Sequence, residues 1–221
     1  MLIEIDDAGI GSPVGGLIIG ALKGNTYRYK VIPVDFFQGN TTNNGVKIAV
    51  LKATFTLLEE LEFDPLEDQI HICQGDIFKQ VHQAFQSKNY KWTPISIRSK
   101  LQDLVEATFD LHLISLGVPR LLLKRLMEYR HYVTELLKWV VMKKDKRVKY
   151  VKTRYNIWKN EWQYSTLSFE RKKANKDKYC IECGDDIKRG DSIYLVRIKT
   201  IHKTFYTYLH EKCGEEILDF L

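Results

Sequence analysis

No run of about 18 apolar residues occurs in this 221-residue chain, so the sequence predicts no membrane-spanning helix. No basic stretch precedes its first apolar run, which argues against a secretory signal and makes a cytoplasmic protein the expectation. Cysteine is scarce. Of the four, Cys180, Cys183 and Cys213 fall near the C-terminal end, while Cys73 stands alone. So few thiols, so placed, make no disulfide framework and point instead to a metal site. Acidic residues are scarce in one region. From Lys143 to Lys178 there are 13 Lys and Arg against 4 Asp and Glu, a net +9 within a chain whose total is +6. A local excess of that size predicts a polyanionic partner or a solvated, charge-laced helix. Otherwise the composition is that of a globular protein, 44% hydrophobic and 28% charged. The length suits one sizeable domain with a small module beside it.

The organising stretch is Leu2 to Leu22. Leu2-Ile3-Glu4-Ile5 reads as a buried strand, and Leu17 to Leu22 as a second, across a turn containing Gly9, Gly11, Pro13, Gly15 and Gly16. Asp6 and Asp7 end the first strand. Adjacent carboxylates there are costly to bury unless a metal or solvent compensates them, although Asp also simply begins turns.

Downstream, alternation predicts a third strand from Thr26, ending near Pro33. A helix is predicted over 46–63, a strand over Gln69 to Cys73, a helix over 77–86 and an edge strand over 90–97 that contains Pro94. Helices over 99–116, with Ser99 as N-cap, and over 120–142 follow. The order is three strands, helix, strand, helix, strand, helix.

At the C-terminal end, Cys180-x2-Cys183 and His210-x2-Cys213 bracket a predicted hairpin and precede a short helix over 215–221. Two such pairs supply four tetrahedral ligands for Zn²⁺, a closed and therefore structural site. His202 is a less well spaced alternative to His210, and Cys73 is most simply a small core residue. The knuckle, hairpin and second pair resemble the treble-clef class of zinc fingers. Between the helices and this module, cations alternate with Tyr150, Tyr155, Trp158, Trp162, Tyr164 and Phe169. Such aromatics stack on unpaired bases or pack the segment onto the main domain. Residues 171–178 read as an exposed linker. The expected organisation is 1–142, 143–178 as a basic bridge, and 179–221 as the zinc module.

Asp6-Asp7-Ala8-Gly9-Ile10-Gly11 resembles the N-terminal signature of ribonuclease HII, an Asp-Glu-Ala-Gly-Arg-Gly run leading into a strand of small residues. Gly15 matches a later family glycine without a gap. Asp7 stands in place of glutamate, and Ile10 in place of an arginine that helps read the ribonucleotide. The resemblance implies an α/β fold of the ribonuclease H-like class, a mixed sheet flanked by helices, with acids from distant positions holding two Mg²⁺ or Mn²⁺ ions. It implies ligands at Asp6, at Asp76 after the Gln69–Cys73 strand, and at Asp110 on the helix over 99–116, with Asp7 or Glu106 completing the set.

The expected activity is hydrolysis of phosphodiester bonds, in RNA of an RNA–DNA hybrid or in structured DNA such as a junction. Two other classes remain open: a non-catalytic nucleic-acid-binding protein, and a zinc-bearing protein-interaction module.

Overall fold

The computed structural model describes residues 1–39, 41–125 and 129–219. The chain forms two compact units, one of residues 1–10 with 15–112, the other of residues 11–14 with 113–221.

The first unit is built on five strands. β1 (Leu2–Ala8), β2 (Leu17–Lys23) and β3 (Thr26–Ile32) form an antiparallel meander. β3 ends at Ile32 because Pro33 has no N–H to donate to a ladder. α1 (Asn43–Glu60) follows, its first turn capped by Thr42, whose hydroxyl accepts the Gly45 N–H at 3.1 Å. α1 leads to β4 (Gln69–Cys73), which lies parallel to β1. A 3₁₀ turn over Asp76–Phe78 opens α2 (Lys79–Ser87), and β5 (Trp92–Ile95) then pairs parallel to β4. α3 (Lys100–Ser115) closes the series. Ser99 caps it as predicted, accepting the Leu101 N–H at 3.2 Å.

The sheet order is β3-β2-β1-β4-β5, so β1 is central and β2 alone runs against its four companions. Pro94 sits in β5, at the sheet edge, where a missing donor is tolerated. Ile3 and Ile5 of β1, Ile70 and Ile72 of β4, and Leu17 to Ala21 of β2 are buried, which makes the centre of the sheet the core. α3 lies against it through Leu101, Val105 and Phe109. This approach requires glycine at two positions. A Cβ on Gly20 of β2 would stand 2.2 Å from Val105 Cγ1, and one on Gly9, whose φ is +101°, would stand 2.3 Å from the Phe109 ring.

In the second unit, α4 (Arg120–Arg125) and α5 (Tyr129–Met142) occupy the span predicted as one helix, and residues 126–128 lie outside the described residues. Short helices α6 (Lys144–Arg147) and α7 (Asn156–Asn160) follow. Then come β6 (Thr166–Lys173), β7 (Lys178–Tyr179), β8 (Asp186–Ile187), β9 (Ser192–Lys199), β10 (Thr204–His210) and α8 (Glu211–Leu218). α8 begins four residues earlier than predicted, and the end of that prediction, 220–221, lies outside the described residues. β10, β9 and β6 form an antiparallel sheet, while β7 and β8 pair separately.

Three expectations are corrected here. Residues 171–173, read as linker, are the end of β6 and pair with Ser192 to Tyr194. The basic stretch is therefore not a bridge between modules but part of the fold that carries the paired cysteine and histidine motif. Trp158 and Trp162 are buried within this unit, and Trp162 stacks on Phe205 of β10 at 4.9 Å, so these rings serve packing. The division between units falls inside α3 rather than at residue 142. Residues 11–14 belong with the second unit, where Val14 bridges Val151 and the Lys152 N–H donates to the Pro13 carbonyl at 2.9 Å.

Candidate metal centres

The first centre is built by the knuckle after β7. The Gly184 N–H donates to the Cys180 carbonyl at 2.8 Å and the Cys180 N–H to the Asp185 carbonyl at 2.9 Å, folding Cys180 and Cys183 onto one side of a tight turn. Gly184 takes φ +80°, and a Cβ there would meet the backbone of Leu122 at 2.6 Å. The Ile181 N–H donates to the Tyr208 carbonyl at 3.0 Å, tying the knuckle to the edge of β10. His210 ends β10, and Cys213 lies in the first turn of α8.

One ligand atom from each of Cys180, Cys183, His210 and Cys213 lies within 4.8 Å of the others. His210 Nε2 lies 3.1 Å from the Asp186 carbonyl, to which it donates. That bond fixes the tautomer and turns Nδ1 toward the cluster, 3.4 Å from Cys183 Sγ. Burial, and then the neighbouring Cys180 sulfur, pushes the Cys213 thiol up to about 11 and raises Cys183 further. Three sulfurs and one imidazole nitrogen so close together could hold a metal such as zinc. His202 is exposed in the β9–β10 turn and is not among these ligands.

A network supports the knuckle from outside. Glu182, between the two cysteines, accepts both terminal nitrogens of Arg147, at 3.0 and 2.8 Å, and Lys143 Nζ at 2.6 Å. Arg147 also lies over the Trp139 ring at 4.0 Å. Tyr179 donates to Glu135 at 2.8 Å, and Glu135 pairs with Lys138 at 2.7 Å. Part of the basic stretch is thus neutralised internally, in a pattern that the sequence count could not reveal.

The second centre lies at the C-terminal end of β1, in the first unit. Asp6 pairs with Gly20, which faces Val105 of α3, so the Asp6 side chain shares the α3 side of the sheet. Register also brings Cys73 beside it, since Ile5 pairs with Ile72. One ligand atom each from Asp6, Asp7 and Cys73 falls within 4.8 Å of the others. Asp6 is buried, and its carboxylate accepts the Asp7 N–H. Burial, followed by the charges of Glu106 and Glu4, raises its carboxyl above the usual carboxylate range. Burial and the charges of Asp6 and Asp7 push the Cys73 thiol up to about 11.

Glu106 and Asp110 occupy the flank of α3 one turn apart. Burial first and the Glu106 charge second raise Asp110. Glu106 accepts Gln102 Nε2 at 3.1 Å. Glu4 accepts the Ser99 hydroxyl at 3.0 Å, locking the start of α3 to β1.

Asp76 stands outside the Asp6 group, and so, among the described residues, do the exposed Glu106 and Asp110 of α3. Asp76 is 77% exposed and ion-paired with Lys47 at 2.5 Å, and that ammonium holds its carboxyl below the usual range. The β4 residue that joins the group is Cys73. The sequence carried a signal for this: the predicted strand ends at Cys73 itself, and Asp76 lies three residues beyond it.

No helix among the described residues is long and apolar enough to cross a membrane. Neither a protein-family model nor a curated protein matches this chain.

Proposed function

We propose that the chain is a divalent-metal-dependent nuclease of the ribonuclease H-like class with a C-terminal zinc module. The observation that carries this reading is the meeting of Asp6, Asp7 and Cys73 within 4.8 Å at the end of the central strand, beside a helix whose Glu106 charge acts on Asp6. The order of elements and the mixed sheet agree with the resemblance of the opening signature.

In this reading Asp6 and Asp7 hold the ion, and Glu106 or Asp110 completes the set from α3. A bound divalent ion supplies a Lewis acid for the phosphodiester and a water of lowered pKa. Cys73 tunes the choice of ion. A thiol is a poor partner for Mg²⁺ and a better one for Mn²⁺ or softer ions, so Mn²⁺ is the expected activator. The raised Asp6 carboxyl resists ionisation, and a cation bound beside it favours the charged form. Ile10 stands where the related family reads the ribonucleotide with arginine, which favours structured DNA over a hybrid as substrate.

The test is cleavage of a labelled four-way junction and of an RNA–DNA hybrid in Mn²⁺ and in Mg²⁺, by the wild type and by Asp6→Asn. The expected result is Mn²⁺-dependent cleavage that the variant loses. Cleavage that survives in the variant overturns the assignment of Asp6.

A second reading is a non-catalytic nucleic-acid-binding protein, and the pairing of Asp76 with Lys47 favours it. It predicts salt-dependent binding without turnover.

A further inference from the structure

We propose that the open face of the β10-β9-β6 sheet is a platform for single-stranded nucleic acid, with Tyr206 as the stacking ring and Arg197, Lys199 and Lys172 as the phosphate contacts. The inference rests on the nucleic-acid part of the reading above and not on its catalytic part.

Register divides this sheet cleanly. Residues paired across antiparallel strands share a face. One set of rows is Leu167–Ile198–Phe205, Phe169–Val196–Thr207 and Arg171–Tyr194–Leu209. Val196, Ile198, Thr207 and Leu209 of this set are buried. On this side Trp162 stacks on Phe205, Gly214 of α8 lies against the Tyr194 ring, and Arg171 pairs with Glu211 of α8. The inner face is therefore full, and its cation is matched.

The opposite rows are Thr166–Lys199–Thr204, Ser168–Arg197–Tyr206, Glu170–Leu195–Tyr208 and Lys172–Ile193–His210. The last row runs into the zinc cluster through His210. Away from it, Thr166, Ser168, Glu170, Arg197, Lys199 and Thr204 are all exposed, and Tyr206 is 52% exposed.

Two features separate this face from an ordinary solvated one. Its charge is one-sided: Arg197, Lys199 and Lys172 stand against Glu170, and among the described residues no carboxylate pairs with any of the three cations. The cations at the knuckle and on the inner face have acids, namely Glu182 for Lys143 and Arg147, Glu135 for Lys138, and Glu211 for Arg171. The second feature is the aromatic at its centre. Tyr206 lies beside Arg197, whose Nε donates to Ser168 at 3.2 Å and so holds the guanidinium across the sheet. In the next row Lys178 lies over the Tyr208 ring at 4.8 Å.

An exposed ring next to unmatched cations suits a strand whose bases are unstacked and whose phosphates are spaced along it. A duplex hides the faces of its bases and cannot use the ring. The aromatics that the sequence suggested for this role, Trp158 and Trp162, are unable to take it because they are buried.

The test uses full-length, zinc-loaded protein carrying Asp6→Asn, so that strands survive the assay. Fluorescence anisotropy follows labelled oligo-dT and oligo-rU of about a dozen nucleotides, and the corresponding duplex, at several salt concentrations. The single strands are expected to bind more tightly than the duplex. Tyr206→Ala is expected to weaken strand binding about tenfold, whereas Tyr206→Phe, which keeps the ring, is not. Arg197→Ala is expected to lower the salt slope by about 0.7, the value for one lost phosphate contact. Lys124→Ala, an exposed cation on α4, serves as the unaffected control. Equal binding by Tyr206→Ala and the parent overturns the proposal. So does binding to phosphatidylserine vesicles, but to no strand, through the same residues. If Mn²⁺-dependent cleavage fails in the wild type while these binding losses appear, the nuclease reading falls and the platform stands.

Discussion

Asp6 is a residue whose ionisation the fold opposes. Its carboxyl is raised in the folded chain, chiefly by burial. Folding therefore favours the protonated form, and ionisation at neutral pH costs stability once pH exceeds the unfolded value. Asp6→Asn is expected to raise the urea midpoint at pH 7 without divalent ions, and to abolish Mn²⁺ binding in a calorimetric titration. A variant that gained no stability would show that the folded site does not disfavour the charge.

Asp68 is the converse case. It is 2% exposed and accepts Lys23 Nζ at 2.7 Å and the Asp64 N–H at 2.8 Å. Burial, the largest single effect, would raise it, but the Lys23 ammonium, the Met1 amino group and the Asp64 N–H together hold it down at about 2. A depressed carboxylate stabilises the fold above its unfolded value and loses that contribution as pH falls through the folded one. The advantage of wild type over Asp68→Asn in urea is expected to be full at pH 5 and above, and to vanish as pH falls from about 4 toward about 2.

At the scale of the element, α3 decides the first unit. Its apolar stripe was plain in the spacing of Leu101, Val105 and Phe109, but the helix reaches the sheet only because Gly20 and Gly9 present no Cβ to it. Gly20→Ala is expected to cost about 1–3 kcal/mol in chemical denaturation, the usual range for overpacking. Adding Val105→Ala should recover part of that loss, and a double-mutant cycle would measure the coupling. Strict additivity would show that the helix does not rest where described. The same close approach lets the Glu106 charge reach Asp6 from α3.

At the scale of the whole molecule, the two units differ in what holds them. The first has a five-stranded sheet with a continuous apolar centre. The second relies on small sheets, short helices and the Cys180, Cys183, His210 and Cys213 set. Removing metal with a zinc chelator is expected to speed amide exchange in β9, β10 and α8 while β1, β2 and β4 stay protected. Equal protection of β9 and β10 before and after chelation would show that apolar packing alone suffices there. Cys180→Ser is expected to reproduce the effect of the chelator.

The sequence alone determined the local events. Strand alternation, proline stops, the Ser99 cap and the C-x2-C and H-x2-C pairs are all written within a few residues, because they depend on the backbone and its nearest neighbours. It also located the acid pair at the end of β1. What it did not contain was register, and register is a long-range property. Pairing β1 with β4 brought Cys73, rather than Asp76, to Asp6. Pairing β6 with β9 turned an apparent linker into a strand, and pairing β9 with β10 left Arg197 and Tyr206 side by side on an open face. A count of charge along the chain cannot tell a cation held by Glu182 from one facing solvent. Only the tertiary structure separates them, because a side chain's partner is chosen across space and not along the sequence.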